Sequence, residues 1–123
     1  MIKILNLTRH EATEDQIKDG VIEPSKEDKE TLKRLLTFEY IPTGYDIAKV
    51  AKEIVNISKK YDTISCMIGG PGYLLSSLER ELKKEGKIPL YSFTKRVIQE
   101  EYKEDGTVVK TGVFKHIGFV SPP

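Results

Sequence analysis

Short apolar stretches along the chain predict the strands of a sheet. Residues 63–68 form an uncharged run, Thr63 to Ile68, which is typical of a central strand buried on both faces. Residues 37–41 alternate and are rich in aromatic and β-branched side chains, and Pro42 follows them directly. The predicted strands cover residues 1–8, 37–41, 63–68 and 88–93.

Other segments repeat apolar residues every three or four positions, which predicts amphipathic helices. Thr13 and Gln16 have the spacing of a capping box, and Gly20 ends the short helix that they open. Three longer helices follow, each with its own start signal. One opens at Pro24 and Ser25, one starts at Thr43 or Asp46 and runs to Lys59, and one follows Gly72 and ends at Gly86.

The order of these elements predicts the fold class. Strand and helix alternate from the first residues to residue 93, which is typical of a parallel sheet flanked by helices. Residues 97–102 and 107–120 are strand-like on either side of the turn signal Glu104-Asp105-Gly106. We therefore expect one α/β domain over residues 1–123, a Rossmann-like parallel sheet with a C-terminal β-hairpin.

Composition excludes several classes of protein. The 123 residues are 38% hydrophobic, too many for a disordered chain, and 20 basic residues balance 19 acidic ones to a net charge of +1. That balance argues against a protein that coats duplex nucleic acid or a membrane surface. No apolar run approaches the ~20 residues of a membrane span. Met1 leads directly into a strand, so we expect no signal peptide and a cytoplasmic location.

The charges are distributed unevenly along the chain. Residues 11–30 hold eight acidic side chains against three lysines, whereas residues 83–116 hold eight basic side chains against five acidic ones. Two interpretations remain open: one side of the protein is basic and the other acidic, or the whole surface is a solvated mixture.

The carboxyl ends of parallel strands are the usual ligand sites of such sheets. The first strand leads into Asn6, Thr8, Arg9 and His10, whose amide, hydroxyl, guanidinium and imidazole groups bind phosphates and ribose hydroxyls well. Arg9 has the alternative of pairing with an acid such as Glu11, and His10 that of an ordinary surface histidine. Thr43 and Gly44 follow the strand predicted at 37–41.

A glycine-rich turn is the strongest local signal. Gly69-Gly70-Pro71-Gly72 joins a buried strand to a helix, so a ligand can come close to its backbone and the free N–H groups of the helix can bind an anion. The turn is neither a Walker loop nor a complete dinucleotide fingerprint. Phosphate or ribose contact by residues 69–73, Tyr73 included, and a purely structural tight turn both remain open.

The remaining candidates carry weaker signals. Lys95 and Arg96 are adjacent in an extended segment, so at most one points into a site, and Arg96 is the better phosphate clamp. Both are alternatively solvated at a sheet edge. His116 in the last strand is expected to be structural, and Cys66, the only cysteine, to be buried and inert. The spacing indicates neither a metal site, nor paired carboxylates, nor a Ser-His-Asp set.

Three stretches taken in order resemble a known family. Asn6 to His10 with Thr13 and Gln16, the turn Gly69 to Gly72, and Tyr91 to Arg96 with the tail Val113 to Phe119 are together similar to the small standalone CRISPR-associated proteins with a CARF-like, Rossmann-like sensor fold. Several families of that kind are ring nucleases, and the similarity covers nearly the whole chain.

The resemblance implies a ligand and a reaction. The ligand would be a cyclic oligoadenylate, most often cyclic tetra-adenylate, and its cleavage to linear products with a 2′,3′-cyclic phosphate would switch off type III CRISPR signalling without metal or cofactor. Catalytic residues differ between ring-nuclease families, so the candidates rest on chemistry. His10, Arg96 and Lys95 are the catalytic candidates. The candidates for ligand binding are Asn6, Thr8, Arg9, Thr43, Gly44, Gly69, Gly70, Pro71, Gly72 and Tyr73.

A four-membered ring has two-fold symmetry, which predicts a homodimer with the site across its interface. The hairpin then extends the interface or closes over the site. Three alternatives remain open: a sensor that binds the ring without cleaving it, an α/β enzyme that binds a mononucleotide, and an interaction domain of the receiver type. The first strand lacks the acidic cluster that phosphoryl receivers need for magnesium.

Overall fold

The protein folds into a five-stranded mixed sheet flanked by helices. The computed structural model describes residues 2–123. The strands are β1 (Ile4–Asn6), β2 (Val21–Ile22), β3 (Ser65–Met67), β4 (Ile88–Tyr102) and β5 (Val108–Val120). The helices are α1 (Glu14–Lys18), α2 (Lys26–Leu35), α3 (Gly44–Ser58) and α4 (Gly72–Lys84). The predicted α/β class is confirmed.

The sheet has the strand order β2-β1-β3-β4-β5. Pairing is parallel between β2 and β1, between β1 and β3, and between β3 and β4, whereas β5 runs antiparallel to β4. The prediction of a parallel sheet with a separate hairpin is therefore wrong in one respect. A single strand, β4, pairs with β3 through residues 88–90 and then forms the first arm of the hairpin through residues 91–102.

The helix starts follow from side-chain caps that the sequence indicates. Thr13 and Gln16 form a capping box at α1, and Thr43 and Asp46 form another at α3. The Ser25 hydroxyl accepts a hydrogen bond from the Asp28 N–H at the start of α2. Each cap satisfies N–H groups that have no partner inside the helix, so these boundaries are fixed locally.

Two strand predictions differ from the structure. Residues 37–41 are irregular and pair with no strand, so the strand predicted there is wrong. The alternating pattern there reflects one packed side chain, since Phe38 meets the Tyr73 ring edge-on whereas Ile41 is 96% exposed. The two-residue strand β2 was not predicted, because two residues are too few to show a period.

The core lies between the sheet and helices α2, α3 and α4. Leu5, Leu32, Ile54 and Leu78 are fully buried there. Cys66 is buried in β3, as predicted, and burial raises the pKa of its thiol to about 11. A thiol in that state is protonated at neutral pH and unreactive.

Beyond β3, strands β4 and β5 continue as a two-stranded ribbon that we call the arm (residues 91–102 and 108–120). Gly106, with a φ of +86°, forms its turn, which confirms the turn predicted at 104–106. Most side chains of the arm are exposed, among them Ile98, Tyr102 and Phe114. Each strand of the arm contributes twelve paired residues, which span a length of about 40 Å, so the arm extends well past the three short strands of the sheet. No helix among residues 2–123 is long and apolar enough to span a membrane.

Candidate functional site

A cavity of about 260 Å³ opens where strands β1 and β3 end side by side. In the strand order β2-β1-β3-β4, the chain leaves β1 toward β2 in one direction along the sheet and leaves β3 toward β4 in the opposite direction. The connections that follow β1 and β3 therefore diverge and leave a crevice between them, the place where open α/β sheets bind ligands. Loop residues 8–11, the glycine turn, α1 and β4 all contribute to its lining.

The cavity brings together the two strongest predicted segments. Thr8, Arg9 and His10 line it from the β1 side, and Gly69 and Gly70 line it from the β3 side. Arg9 and His10 are exposed, so both side chains are free to meet a ligand. The arrangement sets a guanidinium and an imidazole against a glycine turn, a combination suited to a phosphate and its ribose.

Close packing dictates the glycine turn. Gly70 has a φ of +147°, and a Cβ added to it would lie 3.3 Å from Leu36 Cδ2. Gly69 faces the other loop, and its added Cβ would lie 3.5 Å from Thr8 Cγ2. The turn therefore needs glycine at position 70 for its backbone, whereas a Cβ at position 69 would make only an ordinary van der Waals contact with the other loop.

We expect Gly70→Ala to lower the free energy of unfolding by about 1–3 kcal/mol, because alanine is strained at this φ and contacts Leu36. Urea unfolding followed by circular dichroism measures the effect. Gly72→Ala is the matched control for stability, since nothing lies within 4 Å of its added Cβ. Equal unfolding midpoints for the two variants would contradict this account of the turn.

A buried polar network holds the Thr8–His10 loop from below. Asn6 Nδ2 donates to the His10 carbonyl at 2.8 Å and to the Glu23 carboxylate, while Asn6 Oδ1 accepts from the Thr8 N–H at 2.9 Å. Lys29 Nζ donates to the carbonyls of Thr8 and His10, both at 3.1 Å, and pairs with Glu23 at 2.8 Å. Asn6 thus lies under the loop, fully buried, and positions it.

Glu23 is the acidic member of this network and contacts Asn6, the Ala12 N–H and Lys29. Burial tends to raise the pKa of its carboxyl, but hydrogen bonds from Lys29, the Ala12 N–H and Asn6 outweigh that effect and lower the pKa below its ordinary value of 4.5. The carboxylate is therefore ionised at neutral pH, and Lys29 balances its charge. Glu23 and Lys29 were not predicted as parts of the site.

A second set of side chains reaches the cavity from β4 and β5. Ser92 lines the cavity, and its Oγ lies 2.6 Å from His116 Nδ1. His116 Nε2 lies 2.8 Å from Asp19 Oδ2, and the imidazole meets the Phe119 ring edge-on. His116 is buried. The sequence indicated no Ser-His-Asp set, yet the fold assembles these three residues.

The other predicted residues lie outside the cavity. Thr43 and Gly44 start α3, and Pro71 and Gly72 lead into α4. Tyr73 lines a separate, open cavity with Phe38, Tyr40 and Ile41. Lys95 and Arg96 are exposed in the arm, where the Arg96 guanidinium lies over Gly112. Neither Lys95 nor Arg96 lines the cavity between β1 and β3.

Comparison with known proteins identifies the family of the chain. The model of the uncharacterized protein MJ1673 family matches residues 2–120, nearly the whole chain. The chain belongs to this family. No curated protein and no solved structure matches it. The cavity between β1 and β3 lies wholly inside the part of the chain that the MJ1673 family model covers.

Proposed function

We propose that this protein binds a cyclic oligoadenylate, in the first place cyclic tetra-adenylate, and cleaves it without metal to linear products that end in a 2′,3′-cyclic phosphate. Its role is then to switch off type III CRISPR signalling in the cytoplasm. The cavity between β1 and β3 carries the proposal, because it sets Arg9 and His10 against the glycine turn. The parallel order β2-β1-β3-β4 supports a CARF-like, Rossmann-like core within the mixed sheet.

The chemistry needs no protein nucleophile. In this reaction the ribose 2′-OH attacks the adjacent phosphorus, and the 5′-oxygen leaves. The protein holds the two oxygens in line, neutralises the charge on the phosphorane and moves protons. Arg9 is suited to the first two tasks because its planar fork binds two phosphate oxygens at once, and His10 is suited to the third.

The size of the cavity supports a dimer. At about 260 Å³ it lies just below the usual range of ligand pockets, about 300–1,000 Å³, so one nucleotide unit of a ring is the largest part that it can hold. Two copies about a dyad give a four-membered ring two such cavities. The arm presents Lys95, Arg96 and exposed apolar side chains beyond the sheet, where a second subunit can be reached.

The proposal is tested by incubating the purified protein with cyclic tetra-adenylate in EDTA and separating the products by chromatography. Linear fragments with cyclic phosphate ends are the expected result, formed by a particle with twice the 14.0 kDa mass of the chain. If the protein binds the ring tightly but leaves it intact, it is a sensor and not a nuclease. A monomer that binds mononucleotides but not the ring would indicate a nucleotide-binding α/β enzyme.

A further inference from the structure

A bulge in the arm places His116 against Ser92. Ser92 pairs with Phe119, and a regular register would place Ile117 opposite Thr94. The register shifts by one residue between Phe93 and Thr94, so His116 lies opposite Thr94 instead. Residues directly opposite one another share a face of the ribbon, and a shift of one residue changes the face. In a regular ribbon His116 would lie opposite Lys95, on the face away from Ser92. Bulges commonly redirect a side chain in this way next to active sites.

The hydrogen bonds assign the proton positions in this group. Asp19, which follows α1, presents a carboxylate that only accepts, so His116 Nε2 carries the proton of that 2.8 Å bond. In the neutral ring Nδ1 is then an acceptor, and Ser92 donates its hydroxyl proton to it at 2.6 Å. Gln16 Nε2 also donates to Ser92 Oγ, at 3.3 Å, which leaves the oxygen with a free lone pair.

His116 and Ser92 differ in their access to the cavity. The His116 side chain is 2% exposed, so its ring is held between two partners and shielded from water. Ser92 lines the cavity that also holds His10 and the glycine turn. A hydroxyl at the site, a base within hydrogen-bond reach and a carboxylate that orients the base are the signature of an activated hydroxyl.

We propose that Ser92, His116 and Asp19 form a proton relay that serves the attacking hydroxyl in the cavity. Ser92 is the catalytic residue, and His116 and Asp19 act through it. As the 2′-O–P bond forms and the P–O5′ bond breaks, Ser92 Oγ takes the 2′-OH proton and passes its own proton to His116 Nδ1. The imidazolium is stabilised by Asp19, and the leaving 5′-oxygen takes a proton from His10. This step rests on the proposed ring cleavage.

A fluorophosphonate probe tests the activated hydroxyl independently of the ring. Ser92 Oγ attacks the phosphorus, fluoride leaves, and the hydroxyl proton goes to His116 Nδ1. We expect mass spectrometry of the intact protein and its peptides to show one probe on Ser92. Asp19→Asn and His116→Gln should lower the rate of labelling at least tenfold, whereas Ser76→Ala, which removes an exposed hydroxyl on α4, should not change it.

Single-turnover cleavage of cyclic tetra-adenylate tests the role of the relay. Ser92→Ala should slow cleavage by ~10²–10⁴-fold while the dissociation constant changes less than threefold. Ser92→Thr, which keeps a hydroxyl, should restore part of the rate, and a merely structural serine would not separate the two variants in this way.

The two assays distinguish failure of the relay from failure of the nuclease. If the Ser92→Ala variant still cleaves the ring and the probe does not label Ser92 in the wild type, the relay is wrong and the proposed nuclease is unaffected. Labelled Ser92 in a protein that leaves the ring intact would support the activated hydroxyl and overturn the nuclease. Absence of both labelling and cleavage would overturn both.

Discussion

Replacing His10 by alanine should lower the single-turnover rate of cyclic tetra-adenylate cleavage by ~10²–10⁴-fold, the usual contribution of a positioned acid or base. The reason is that His10 is exposed at the cavity and lies on the loop that Asn6 and Lys29 hold. Affinity for the ring should change less than the rate, because the proposed task of His10 is proton transfer to the leaving 5′-oxygen, whereas Arg9 and the glycine turn bind the phosphate. Quenched-flow kinetics and a separate binding titration measure the two quantities.

Arg9→Ala is the informative contrast to His10→Ala. Loss of charge-assisted hydrogen bonds worth about 1.5–3 kcal/mol should weaken ring binding by roughly 10–150-fold. Lys52→Ala, an exposed site on α3 remote from the cavity, should change neither the rate nor the affinity. If His10→Ala weakened binding as much as Arg9→Ala and kept the chemical rate, His10 would be a ligand contact and not the proton donor.

Replacing Lys29 by methionine should have the largest effect on stability of any change near the site. Methionine keeps most of the apolar stem but removes the charge that Glu23 faces. It also removes the Lys29 hydrogen bonds to the carbonyls of Thr8 and His10, of which the His10 carbonyl keeps its bond from Asn6. Breaking such a pair leaves an uncompensated charge, and we expect a loss of about 2–3 kcal/mol, since Glu23 keeps some contact with water. Thermal unfolding should show a Tm lower by roughly 8–12 °C.

Lys26→Met is the matched control, because Lys26 is an exposed lysine on the same helix. The pH dependence gives a second readout. The pKa of Glu23 is lower folded than unfolded, so the pair stabilises the protein above about pH 4.5 and this contribution disappears as the pH falls further. Lys29→Met should lose less stability than the wild type between pH 6 and pH 3. Equal melting of the Lys29 and Lys26 variants would show that the network contributes nothing.

Features fixed by neighbouring residues could be predicted from the sequence. The caps at Thr13, Ser25 and Thr43 depend on residues three positions away, and the strand at 63–68 shows in its own apolar run. The convergence of the Thr8–His10 loop with the glycine turn also follows from local signals, because parallel strands bring their carboxyl ends to one edge.

Features that depend on distant partners could not be predicted. Asp19 and His116 lie 97 positions apart, and the contact of His116 with Ser92 depends on a one-residue bulge that the sequence does not mark. The Asn6–Glu23–Lys29 network likewise joins a strand, a loop and a helix. The alternation at 37–41 was misleading, since a strand needs a partner as well as a pattern.

The most direct test of the central claim is a crystal structure with the 2′-deoxy form of cyclic tetra-adenylate, which keeps the bases and phosphates but lacks the attacking hydroxyl. We expect the ring on the dyad of a homodimer, with one nucleotide in each cavity and its phosphate against Arg9 and the Gly69–Gly70 turn. Its C2′ should face Ser92, and the 5′-oxygen on the other side of the phosphorus should face His10. A ring bound away from both cavities, or held by a single chain, would contradict the account.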